Sequence, residues 1–200
     1  LRFASGVAPR GKQIKFYPHG QILEPNRPGT FLGQRVLTKD RRVDLAPEIF
    51  LKAATKLNSD YEREWAQQNR MKLISKRERL THNSWMHNSE PFVGPGRSTN
   101  YLYVNPADAV SFHLTNGDTA EVTSSFGTVR SPVRITDDLM PGVVAFPHGW
   151  GHQDAEGLTI ARKYPGVNVN YLTPDGPEGC EKLSGMSHMT GIVVKIRKAK

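Results

Sequence analysis

From residue 71 onward, apolar residues arrive in short runs separated by turn formers; before it they do not. The runs at 72–75, 101–104, 120–125, 128–135, 143–147 and 192–197 are rich in Val, Ile, Leu and Tyr. Runs of that length and β-branched content predict six strands. Asn116-Gly117-Asp118 reads as a turn, Ser125-Phe126-Gly127 as a hairpin link, and Met140-Pro141-Gly142-Val143 as a type II turn with Pro and Gly at its centre. One short helix interrupts the strands: Asn105 caps it, Pro106 takes its first position, and residues 107–113 complete it. No internal repeat is visible. Short strands so closely spaced predict a small closed barrel rather than a parallel sheet.

The first 70 residues have a different texture. Pro9, Gly11, Pro18, Gly20, Pro25, Pro28, Gly29 and Gly33 exclude a long helix before residue 45. This stretch reads as an extended linker with short strands near 14–17 and 34–37. Phe50, Ala54, Leu57, Tyr61 and Trp65 then recur three or four apart, which predicts an amphipathic helix over about 46–69, continuous or in two pieces. Asp44 can cap it, Pro47 suits its first turn, and Ser59-Asp60-Tyr61-Glu62 fits a capping box that would restart it near Asn58. Its aromatic face is expected to pack. The predicted organisation is a linker segment over 1–70 and a barrel domain over 71–200.

Composition narrows the classes. Hydrophobic residues make up 37% and 18 glycines are present, which fits a folded globular chain. No apolar run approaches the ~18 residues of a membrane helix. A single cysteine, Cys180, excludes an internal disulfide framework or an all-cysteine metal site. The net charge of +8 calls for an anionic partner or a solvated basic surface. The chain starts at Leu1 with no signal-peptide pattern, so the expectation is a piece of a longer, cytoplasmic protein, with a periplasmic parent as the alternative.

Three segments carry candidate chemistry. In the first, residues 75–88, Lys76, Arg77 and Arg79 can meet phosphate oxygens, while Thr81, Asn83, Ser84 and Asn88 supply neutral hydrogen bonds. Trp85 offers a flat face for a ring; a surface loop without a ligand is the competing reading. In the second, His148 and His152 frame Gly149, Trp150 and Gly151. The glycines argue against a helix and hence against a two-histidine metal site, and fit close backbone approach to a ligand. His82 and His87 fail as metal ligands in the same way, so no metal site is expected. In the third, Asn168 and Asn170 fall on one side if the backbone is extended, where paired amides suit a purine or pterin edge; two asparagines in a turn is the plainer alternative. No GxGxxG, P-loop or GxSxG occurs, and no group of residues assembles a reaction centre.

Taken together, Arg77 to Asn88, Val104-Asn105-Pro106-Ala107-Asp108-Ala109, Asn116-Gly117-Asp118, Asp138 to Val144, Pro147 to His152, Asn168 to Thr173 and Leu183-Ser184-Gly185 resemble the C-terminal domain of the molybdopterin oxidoreductases, the formate dehydrogenase and dimethyl sulfoxide reductase relatives. The resemblance spans roughly 71–197. It implies a mainly β fold, a six-stranded double-psi β-barrel with short helices, that binds molybdopterin guanine dinucleotide carrying Mo or W. The implied cofactor residues are Lys76, Arg77, Arg79, Thr81, His82, Asn83, Ser84, Trp85, His87, His148, Gly149, Trp150, Asn168 and Asn170. The metal ligand is implied to lie outside this chain. The implied partners are the remaining domains of a parent catalytic subunit and an iron–sulfur subunit, with no nucleic acid and no membrane span. The domain is then a holder of the cofactor in a Mo- or W-dependent, formate-dehydrogenase-like enzyme and is not catalytic alone. The competing class is a basic β-barrel binding single-stranded nucleic acid, with Trp85, Tyr101 and Tyr103 as the stacking surface.

Overall fold

Six strands form in the computed structural model, which describes residues 36–66, 70–81 and 83–200 together with 16, 18, 19 and 29. They are β1 (Met71–Lys76), β2 (Leu102–Val104), β3 (Thr119–Thr123), β4 (Thr128–Ile135), β5 (Val143–Pro147) and β6 (Ile192–Lys198). All six predicted runs are strands, displaced by two residues at most. They close into a barrel in the order β1-β5-β2-β4-β3-β6. Two neighbouring pairs are parallel, β1 with β5 and β2 with β4; the other four are antiparallel. Exchanging β1 with β4, β2 with β5 and β3 with β6 leaves every pairing and its sense unchanged. The barrel thus has a twofold plan, the double-psi topology, even though its sequence shows no repeat.

Alternation explains the closure. Along β4, Val129, Ser131 and Val133 are buried while Arg130 and Arg134 face out. Along β6, Ile192, Val194 and Ile196 turn inward. Leu73, Leu102, Val104, Val122, Val144 and Phe146, each at most 1% exposed, fill the interior with them. Each such side chain contributes about 1.5–3 kcal/mol. On the outer face Glu121 lies opposite Arg130 on β4 and Arg197 on β6. It accepts from Arg130 Nε (3.1 Å) and Arg197 Nε (2.7 Å), which hold its carboxyl below the usual range, Arg197 most strongly. Two of the surplus cations are therefore committed to a cross-strand pair.

The predicted turns form. Gly142 has φ +84°, and Val143 N donates to Met140 O. Asn105 Oδ1 accepts from Ala107 N (2.8 Å) at the start of a helix over Pro106–Ser111. The helical segment takes the two-piece form of the expectation, α1 (Glu48–Ala54) and α2 (Leu57–Trp65), with the break just before Asn58. The capping box does not form; Ser59 Oγ instead donates to Lys56 O, and no side chain caps α2. Nor does the aromatic face pack. Neither piece has a buried residue, and Tyr61 and Trp65 are exposed and stack on each other at 5.9 Å. The helix at Pro106–Ser111 is α3. The expected strand at 14–17 and most of that at 34–37 lie outside the described residues; Val36 and Leu37 are not in a strand. The chain divides into two units, Leu1–Leu51 and Lys52–Lys200. Among the described residues no helix is long and apolar enough to cross a membrane.

Candidate functional site

Parallel neighbours leave a barrel at the same edge. β1 and β5 are in register up to Lys76 opposite Pro147, and His148 N continues the ladder to Lys76 O (3.2 Å). The loops after these two strands therefore start side by side. The first rolls into a 3₁₀ turn, Ser84–Asn88, and Asn88 Oδ1 accepts from Ile160 N and Ala161 N, tying it to the 158–163 turn. Asn100, fully buried just before β2, fixes the second. Its amide donates to Pro147 O and Val167 O (2.9 Å each) and its Oδ1 accepts from Val167 N (2.8 Å). Gly151 has φ +98°, and a Cβ there would collide with Asn168. Only glycine lets the 148–152 and 166–170 segments lie this close.

The three predicted segments converge on one cleft of about 530 Å³. Asn83, Ser84 and Trp85 line it from the first, His148, Gly149 and Trp150 from the second, and Asn168 and Asn170 from the third. The third segment is a turn rather than extended: Asn168 Oδ1 accepts from Asn170 N and caps a 3₁₀ turn, Val169–Leu172. Both asparagines still line the cleft. His148 Nδ1 lies 3.0 Å from Ser75 Oγ, and His152 Nε2 lies 2.7 Å from Gly149 O. Clefts of about 380 and 190 Å³ elsewhere, against Tyr61 and Trp65 and against Ser124 and Lys195, gather none of the predicted donors.

Other predicted residues lie elsewhere. Arg79 and Thr81 line a second cleft of about 230 Å³, which shares Trp150 with the first. Lys76 lies over the Tyr103 ring, its Nζ 3.6 Å from the centroid, and Arg77 is exposed; neither lines either cleft. His82 lies outside the described residues. His87 is buried beneath the site, edge-on to Trp150 (4.4 Å between ring centroids, 77°) and 5.3 Å from His152. Burial pushes its pKa down; the Thr81 carbonyl works against this, and His152 and His148 add to it. Two buried nitrogens here, His87 Nδ1 and Trp150 Nε1, have no hydrogen-bond partner among the described residues.

Gly151 and His152, part of the second segment but outside the implied cofactor residues, also line the first cleft; sequence reasoning missed Met189 there, and Arg97, Thr99 and Arg134 in the second, where Tyr101 also lies. It also missed Asn100. A lone amide directly before an apolar strand was the available signal, since such a group enters the interior only with its bonds made. The nucleic-acid stacking surface is not presented as expected. Tyr103 is 9% exposed beneath Lys76, and Arg134 lies 4.3 Å over Tyr101, which leaves Trp85 as the open ring of the three.

The model of the molydopterin dinucleotide binding domain family matches residues 71–189, a span that contains both clefts. The chain belongs to this family. Its cofactor is a molybdopterin dinucleotide, and nothing in the comparisons favours nucleic acid. Among similar proteins is the molybdopterin-containing subunit of arsenate respiratory reductase from Chrysiogenes arsenatis, 30% identical over 135 residues, 63% of this chain and 15% of that protein. Dimethyl sulfoxide reductase DmsA of Escherichia coli is 33% identical over 82 residues, 40% of this chain and 10% of that protein. The alpha subunit of the F420-dependent formate dehydrogenase of Methanocaldococcus jannaschii is 36% identical over 59 residues, covering 30% and 9%. The chain thus spans at most 15% of the length of these relatives. Acetylene hydratase from Pelobacter acetylenicus shares the fold, with a TM-score of 0.55 at 19% identity over 70% of this chain and 20% of that one.

The residues present suit such a dinucleotide. Asn83, Ser84, Asn168 and Asn170 offer neutral donors and acceptors for a heterocycle edge. The unpartnered indole N–H of Trp150 suits an acceptor oxygen. No group of three His, Cys, Asp or Glu side chains among the described residues is placed to hold a metal ion.

Proposed function

We propose that this domain holds molybdopterin guanine dinucleotide within a larger Mo- or W-dependent oxidoreductase, seating a ring system of the cofactor in the 530 Å³ cleft. The observation that carries this reading is the convergence of 83–85, 148–150 and 168–170, far apart in sequence, on one polar cleft. Asn168 and Asn170 orient the ring edge, Trp85 offers a face, and the glycine-bearing loop lets backbone approach. When bound, the metal–pterin group supplies the redox chemistry; this chain positions it and sets the electrostatics around it.

The relatives' names support assigning substrate choice to other parts of such an enzyme. They specify arsenate, tetrathionate, formate and dimethyl sulfoxide, so substrates differ among proteins that share stretches of this sequence. We place the parent with the formate dehydrogenases, served by an iron–sulfur partner, on the likeness over 59 residues to one of them. Formate-dependent dye reduction by the parent tests that assignment; reduction of arsenate or a sulfoxide instead overturns it.

Asn170→Ala in the complete enzyme tests the holding role. Asn170 is exposed and its side chain makes no internal bond that the barrel needs. Retained guanine nucleotide and metal should fall several-fold with an unchanged Tm. Full retention removes the reading.

A further inference from the structure

Helix α2 belongs to the same unit as the barrel and ends shortly before β1. Leu57, Tyr61 and Trp65 recur every four residues along it and form one stripe, 65%, 63% and 77% exposed. Tyr61 and Trp65 stack with their planes 23° apart, which makes a single flat aromatic surface. A helix of 9 residues with no buried residue and no side-chain cap does not hold itself in water. Isolated helices so short are marginal, and packing of an apolar face is what stabilises them in proteins. None of the described residues covers this face.

The barrel extends the surface. Tyr61 and Trp65 share a cleft of about 380 Å³ with Met71, Pro141 and Val193. Lys72 Nζ fixes its wall by donating to Glu64 Oε2 on α2 (2.6 Å) and to Gly191 O (3.2 Å). The Lys72–Glu64 pair neutralises two charges at the rim, so the cleft offers mainly apolar and aromatic contact.

We infer that this stripe and cleft seat an uncharged, apolar segment from the part of the catalytic subunit outside these 200 residues. Tyrosine and tryptophan are the side chains that most often anchor contacts between folded surfaces. The 135 residues matched in the arsenate reductase subunit are 15% of it, so most of a subunit of that kind is available to supply the occupant. A second copy of the chain fits less well. Aromatic side chains bury roughly 150–250 Å² each, so Leu57, Tyr61 and Trp65 fall short of the ~800 Å² per partner of a standard interface. A segment of the same subunit needs less area, because covalent linkage gives it a high effective concentration. The inference rests on the chain's place in a larger subunit and not on what the clefts beside Trp150 hold.

The test is cysteine protection in the complete enzyme. Trp65→Cys should react with a water-soluble maleimide at least tenfold more slowly in the native enzyme than in guanidinium, the labelled peptide being identified by mass spectrometry. Leu57→Cys should be protected likewise, and it replaces Trp65→Cys if that variant does not fold. Less than tenfold protection at both positions overturns the inference. A photoreactive benzoylphenylalanine in place of Tyr61 then identifies the occupant. The expected product is a cross-link within one subunit to an apolar peptide outside the 200 residues. A cross-link between two copies, to a different subunit or inside the 200 residues overturns the assignment, as does none above background.

Discussion

The two ends of the barrel are built on one pairing plan and have opposite characters. At one end emerge β1 and β5, at the other their topological equivalents β4 and β2. The β4 and β2 connections are brief, residues 136–142 and 105–118, and bond to each other. Asn105 caps α3 and donates to Leu139 O (2.6 Å), while Asp108 accepts from Gly142 N (2.8 Å). The equivalents after β1 and β5, residues 77–101 and 148–191, are far longer. They wind through 3₁₀ turns, leave His87 Nδ1 and Trp150 Nε1 without partners, and enclose both clefts. A parallel pair brings two loops together at each end; the length and polar content of those loops decide whether the result is a closed cap or a binding site.

Asn100→Ala would disturb this contrast most. It removes three buried hydrogen bonds that hold Pro147 against Val167 and leaves the backbone groups unpaired. At about 1–3 kcal/mol for each orphaned group, we expect a loss of about 3 kcal/mol or more, roughly 6–12 °C in Tm. Cofactor retention in the complete enzyme should fall with it, because Trp150 lies between the loops being released. Thermal unfolding that moves by less than 3 °C would show that the two loops hold themselves.

Asn100 also marks where the sequence stops being readable. The strands and turns were legible because their signals are local: alternation in β4, Pro-Gly at 141–142, Asn105 before Pro106. The ring cleft was legible in composition, since Asn, Ser and Gly are rarely so dense without a use, and the resemblance supplied its order. The second cleft was not, because Arg79 and Arg97 come from separate parts of the 77–101 connection and Arg134 from β4, which only the barrel brings together. Arg134 has the look of any outward residue of an alternating strand. His87 was misplaced for the opposite reason: a donor in a donor-rich loop reads as surface, yet it is packed edge-on beneath Trp150. The helix face at 50–65 gave a true periodicity with no packing partner in this unit's own core.

At the closed end, Asn105→Ala should act on stability alone. It deletes a helix cap and the bond to Leu139 O, for about 1–2 kcal/mol. Cofactor retention in the complete enzyme should stay within twofold of the unsubstituted protein. A clear loss of binding would mean that the two ends are mechanically coupled, and the contrast between cap and site would then be one of appearance only.

The smallest effect concerns His87 and is visible as a slope. Burial holds its pKa below the ordinary value of 6.5, with His152 and His148 nearby acting in the same direction. The unfolded chain therefore binds this proton more readily than the folded one. Stability from this residue is complete above about pH 6.5 and declines as pH falls toward the lowered folded value. The depressed carboxylates lie outside that window: Asp118, held at about 2 chiefly by Lys198, and Glu121 lose their contributions only in stronger acid. His87→Phe keeps a ring against Trp150 and removes both the titration and the unpartnered nitrogen. Its Tm should change less than that of the parent chain between pH 7.5 and 5, a range set by the reference histidine pKa of ~6.5. Equal slopes would make His87 a packing group alone.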